Sequence, residues 1–285
     1  MIEFSSILAV LAAVLFGAAM VIAKFGLRYA APALGASISI PTSAVMMWSL
    51  SPLLLDLSKF DLNAAIVFAL VGVVFPALVT WLAFIATERI GPAITSSLSS
   101  TAPIFAVASA IMFLGEPVTL NRMLGVALIV LGIVALSAPS PVAGREWPRW
   151  LLLLPLIGSM LRGIMVTLGK FGLGLWPEPF AASLIGYTVS AVVIIAIAAR
   201  HKDNIENPVR ALPWFATVGI LNGTAVLLMY SALTTGEVAV VASIVAASPL
   251  AALALSGIFL REDRLEAVQI AGLVTVLVGA LVVLN

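Results

Sequence analysis

Lys24-Phe25-Gly26-Leu27 and Lys170-Phe171-Gly172-Leu173 are the same four residues at an offset of 146. Each closes a long apolar run, and the offset recurs: Gly17 matches Gly163, Ser97 matches Ser243, Pro103 matches Pro249, and Glu116 matches Glu262. The chain therefore reads as a duplication. Ten apolar stretches of membrane-crossing length fill it, five in each copy. Five is odd, so the second copy must enter the bilayer upside down relative to the first.

Composition points the same way. Of 285 residues, 62% are hydrophobic and 9% charged, against about 25% charged in an ordinary soluble domain. So few charges cannot coat a water-soluble surface, which leaves a polytopic membrane protein in contact with the lipid bilayer. The net charge of +1 gives no footprint for nucleic acid. No cysteine is present, which removes disulfides and thiolate metal sites. The single histidine, His201, lies in a polar connection and cannot build a metal site alone. No metal or other cofactor is therefore expected. The run from Ile7 to Ala23 lacks the basic start of a secretory signal and reads as a retained span.

A helix needs roughly 20 apolar residues to cross about 30 Å of hydrocarbon. The spans expected are 5–26, 33–55, 63–86, 92–114, 119–137, 150–173, 179–199, 211–233, 238–260 and 265–284. Long non-alternating runs of Leu, Ala, Val and Ile are helices, since an open sheet edge is excluded from lipid. The fold class is thus an all-α polytopic membrane protein, with ten transmembrane helices as two inverted five-helix repeats. The expected organisation is a first repeat at 1–138, a linker at 139–149 and a second repeat at 150–285. Gly125 and Gly132 on the fifth span, and Gly272 and Gly279 on the tenth, lie seven apart and so share a helix face. Small residues let backbones approach, so the fifth and tenth spans are expected to pack through these faces. Prolines inside spans (Pro41, Pro76, Pro103, Pro155 and Pro249) remove backbone hydrogen bonds and invite kinks. Pro103 and Pro249 hold equivalent places and are candidate paired bends for gating.

Inverted repeats place a solute site between the copies near the midplane. One ionisable residue stands at that depth. Arg162 lies twelve residues beyond Trp150, about 18 Å along a helix. Burying it is costly, so it is expected to face a polar cavity, either to contact a solute or gate or to bond backbone carbonyls freed by Pro155 and stabilise the fold. Its guanidinium suits a carboxylate or phosphate, and no aspartate or glutamate lies deep in any span to pair with it. The equivalent position in the first copy is Phe16, so the symmetry breaks where one end of a solute would be recognised. Further polar candidates for the cavity are Thr80 and Trp81, Ser97 and Ser100, Asn222 and Tyr230, and Ser243. Asn222 leads these, because an amide at depth needs partners. Lys24 and Lys170, near span ends, are expected to snorkel to the headgroups. The segment Gly163 to Phe171 has five residues between its glycines and Phe171 after the lysine, so it does not complete a phosphate-binding loop.

Pro103-Ile104-Phe105 through Phe113-Leu114-Gly115-Glu116, then Leu124-Gly125 and Leu131-Gly132, resembles the end of an EamA domain. A second copy runs from Pro249-Leu250 through Phe259-Leu260-Arg261-Glu262 to Gly272 and Gly279. Both halves together resemble a drug/metabolite transporter superfamily permease with two EamA repeats. The resemblance implies a secondary transporter of small metabolites, often an exporter of amino acids, sited in a cell's inner (plasma) membrane. Unlike the short four-span multidrug relatives, the chain has no glutamate embedded in its first span. With no nucleotide site, the expected cycle is alternating access without direct ATP drive. A monomer suffices, since both halves lie on one chain. The rival within transport is export of hydrophobic cations, which a guanidinium in the cavity would repel. An enzyme would need a cluster of nucleophile, base or metal ligands at depth, and the spans offer none. A non-transporting scaffold stays open as a rival, the duplication speaking against it only by analogy. The positive-inside rule and the resemblance disagree on which side the termini face. Ten Lys and Arg lie on one set of connections and three, Lys59, Arg122 and Lys170, on the other.

Overall fold

The computed structural model describes every residue except 1–3, 91–94, 96–97, 100, 118, 137–147, 201–207, 260–266 and 285. Among the described residues all regular structure is helical. In chain order it comprises α1 (Phe4–Gly26), α2 (Pro32–Leu54) and α3 (Leu62–Gly72), which passes through a π-helical segment (Val73–Leu78) into α4 (Val79–Ile90). Then come α5 (Ala102–Leu114), α6 (Leu120–Leu136), a 3-10 turn (Arg149–Leu152), α7 (Leu153–Leu175) and α8 (Pro179–Arg200). The chain ends with α9 (Pro208–Thr235), α10 (Val238–Ala246), α11 (Ser248–Phe259) and α12 (Ala267–Leu284). Among the described residues six helical segments are long and apolar enough to cross a bilayer, and Ala102–Leu114, Leu120–Ala135 and Val238–Ala252 are shorter apolar helices. The chain is a multi-pass membrane protein.

Its exterior is greasy and its interior holds the hydroxyls. Met112, Phe113, Val45 and Val192 are exposed, while Ser43, Ser109, Thr167, Ser190 and Ser243 are buried. Lipid offers no hydrogen-bond partner, so polar atoms must find theirs inside. Ser109 Oγ and Thr167 Oγ1 meet at 2.7 Å between α5 and α7. Ser190 Oγ of α8 donates to Gly72 O of α3 at 2.5 Å.

The glycines fix which helices touch. A Cβ on Gly132 of α6 would stand 2.7 Å from Gly272 O and 2.6 Å from Val276 Cγ2 of α12. One on Gly279 would stand 2.8 Å from Gly125 O. The face predicted from the seven-residue spacing is thus where α6 and α12 meet. Gly17 of α1 presses on Ser248, Ala251 and Ala252 of α11. Gly163 of α7 presses on Ala102, Phe105 and Ala106 of α5, which are the same three positions in the other copy. The first helix of each half therefore packs on the later helices of the other half.

Three details depart from expectation. The third span is not one continuous helix. Pro76 supplies no N–H, and Phe75 before it sits in extended conformation at φ −127°, ψ 127°. The ninth span is two helices, α10 and α11, with a single turn residue, Ala247, between them. Lys170 does not snorkel: its Nζ donates to Leu233 O at 2.6 Å and Gly236 O at 2.9 Å, satisfying carbonyls at the end of α9. Of the other prolines, Pro41 lies inside α2 and Pro155 in the first turn of α7, just after the 3-10 turn.

Substituting Gly132 or Gly279 by leucine should lower the midpoint of thermal unfolding in detergent, since overpacking against backbone costs about 1–3 kcal/mol. Gly158→Ala should leave it unchanged or raise it: nothing lies within 4 Å of that Cβ position, and alanine favours helix by about 0.5–1 kcal/mol. Equal melting of all three variants would refute the packing account.

Candidate functional site

A cavity of about 240 Å³ lies among helices of both halves. Met20 of α1, Pro103 and Ala106 of α5, Arg162 of α7, Ala242 of α10 and Pro249 of α11 line it. Gly163 brings α7 backbone-close to α5, and the adjacent Arg162 is thereby set at the cavity wall rather than toward lipid.

The guanidinium lies over the Phe75 ring, 5.4 Å from its centroid. That distance is a cation–π contact, and the ring is there because Phe75 leaves the helix at the α3 break. Tyr187 of α8 is within electrostatic reach of the guanidinium and close to Ser43 of α2. Ser43 Oγ in turn donates to Gly219 O of α9 at 2.7 Å. Among the described residues Arg162 has no carboxylate partner and no hydrogen bond. Its surface is half-buried, and its open part belongs to the cavity.

The two prolines mark matching interruptions. Thr101 N donates to Leu98 O at 3.3 Å and Ile104 N to Thr101 O at 3.0 Å. At the equivalent positions Ala247 N donates to Ile244 O at 3.0 Å and Leu250 N to Ala247 O at 2.9 Å. Each is a tight three-residue turn, after which α5 or α11 begins at the cavity with proline as its second residue. Proline has no N–H, so Ser99 O and Val245 O lose the donor four residues on. Both residues line the cavity. Two helix N-termini, each carrying partial positive charge, therefore face the same space as Arg162.

Of the residues singled out from sequence, Arg162, Pro103 and Pro249 line this cavity. Tyr230 is buried in the main core beside Gly169 and close to Tyr187. Asn222 lies two turns before Tyr230 on α9, half-buried, with no hydrogen bond among the described residues. Thr80 and Trp81 sit at the start of α4, half-buried and outside the lining. Phe16 packs against the main core next to Gly17. Ser243 is fully buried and donates to Ala239 O of its own helix at 2.6 Å, so no donor remains there for a solute. Ser97 and Ser100 lie outside the described residues. Two neighbours of Arg162 went unread. Phe75 had a signal, its place before Pro76, which biases a residue away from helix. Tyr187 had none beyond a hydroxyl in an apolar run.

A solved crystal structure superposes on 98% of this chain and 95% of its own with a TM-score of 0.81, at 13% sequence identity. At that identity the likeness establishes the fold alone. No curated protein matches the sequence. The family described as "EamA-like transporter family" matches twice, over residues 4–138 and 149–285. These two matches take in the charged cavity wall and both proline breaks, and the chain belongs to the EamA-like transporter family.

Proposed function

We propose that the chain is a secondary carrier that exports amino acids or similar zwitterionic or anionic metabolites across the inner (plasma) membrane. The two five-helix repeats, 1–138 and 150–285 about a linker at 139–149, are inverted relative to one another. They rock about the central cavity in alternating access. A single chain holds both halves, so a monomer is complete.

The observation that carries this reading is Arg162. A guanidinium at span depth costs about 2.5–3.5 kcal/mol on insertion scales, and here it carries that cost without a carboxylate partner among the described residues. A solute carboxylate supplies the missing charge, held in a planar fork of donors. The N-termini of α5 and α11 add to the same positive field. The carbonyls of Ser99 and Val245, stripped of helix donors, are acceptors for an ammonium. Asn222 and Tyr230 extend the polar wall, with Trp81, Thr80, Ser97 and Phe16 as further solute contacts. Pro103 and Pro249 act as paired bends at which each half reshapes. A hydrophobic cation, by contrast, would meet an uncompensated positive charge in a desolvated space.

Two measurements test this reading. In liposomes containing the purified protein, a panel of amino acids, organic anions and cationic dyes separates the classes. Flux of a carboxylate solute should fall at least about 100-fold in Arg162→Met, the order lost when a charge-assisted contact of about 3 kcal/mol goes. Arg162→Lys should keep part of it. Selective dye transport that survives Arg162→Met would overturn the substrate class. The second measurement is stability. Arg162→Met should raise the thermal midpoint of the solute-free protein, because a site held ready for a ligand is strained without it. A clear drop would mark the guanidinium as a structural member of the fold.

A further inference from the structure

Where α5, α7 and α9 end and α6 and α10 begin, four charged residues gather. Glu116, in the turn after α5, accepts the Val238 N–H on its two oxygens at 3.1 and 3.0 Å. Arg122, near the start of α6, is ion-paired with Glu237, the residue that precedes α10. Lys170 holds the end of α9 and feels the negative charge of both Glu116 and Glu237. The links from Glu116 and Arg122 cross from one half to the other, and Lys170 joins them to α7, the helix that carries Arg162.

The repeat makes this end unequal to the opposite one. At the offset of 146, Lys170 corresponds to Lys24 and Glu116 to Glu262. Glu237 corresponds to Gly91 and Arg122 to Val268. Neither Gly91 nor Val268 can ionise, so the Arg122–Glu237 pair is not repeated at the equivalent positions. An ion pair that joins the two halves at one end of a two-state carrier favours the state in which that end is closed. The pair is partly exposed, with side chains 26% and 37% accessible. Ion pairs in that setting are weak enough to part and reform in every cycle.

We propose that Arg122 and Glu237, braced by Glu116 and Lys170, form an ionic latch that keeps this end of the cavity shut at rest, so that the cavity opens first to the opposite face. The latch rests on the two-state carrier reading above.

The chain has no cysteine, which permits a clean reporter. Ala242→Cys places one thiol at the cavity, and a membrane-impermeant maleimide is applied to either face of oriented vesicles. In the parent reporter, labelling should come from the face opposite the latch. Arg122→Gln or Glu237→Gln should speed labelling from the latch face roughly fivefold, the population shift expected for losing one such pair. The exchanged double variant, Arg122→Glu with Glu237→Arg, should return it to the parent rate, which a merely misfolded single variant cannot explain. Labelling from the latch face that is equal in all four proteins overturns the latch and leaves the carrier reading standing. So does a rise that the exchanged pair fails to reverse. A thiol reached from neither face in any variant overturns both.

Discussion

Every feature of this protein follows from a solvent that offers the backbone nothing to bond to. In hydrocarbon an unpaired N–H or C=O costs several kcal/mol, so the chain is helical wherever it can be. Its two cleanest interruptions, at Thr101 and Ala247, are single turns closed by their own three-residue hydrogen bonds. Both adjoin the cavity shared by helices of the two halves. The same constraint turns the usual distribution of side chains inside out. Serines and threonines move to helix contacts, where Ser109 meets Thr167 and Ser43 reaches Gly219.

Arg162 is the exception that the constraint makes informative. A charge in this setting is costly unless something compensates it. What the structure supplies is modest: an aromatic face from Phe75, the dipole of Tyr187, and the ends of two short helices. These orient a guanidinium without neutralising it. Phe16 in the other copy keeps the opposing position apolar. The duplicated frame thus carries a guanidinium at one of two equivalent positions and a phenyl ring at the other.

Features that are chemically rare within an apolar run were legible in the sequence. A lone arginine, two prolines at matching places and glycines seven apart stand out against Leu, Ala and Val: Arg162, Pro103 and Pro249 line one cavity, and the glycines lie against a facing backbone. What could not be read was rotation about a helix axis. α2 is nearly as apolar on one side as another, so nothing in its composition says that Ser43 faces Gly219 and Tyr187. Lys170 near a span end has two outlets, headgroups or helix carbonyls, and only the proximity of α9 decides for Leu233 O and Gly236 O. The departure of Phe75 from helical geometry, which sets the ring under the guanidinium, depends on how α3 and α4 pack once Pro76 has broken the ladder.

The crossed seating of Gly17 against Ser248, Ala251 and Ala252, and of Gly163 against Ala102, Phe105 and Ala106, bears on how the molecule is made. A ribosome delivers α1 long before α11 exists, and α5 before α7. The amino-terminal segment must therefore wait in the bilayer with its glycine groove unfilled until nearly the whole polypeptide has been inserted. Maturation is for this reason a late, all-chain event rather than the successive completion of two lobes.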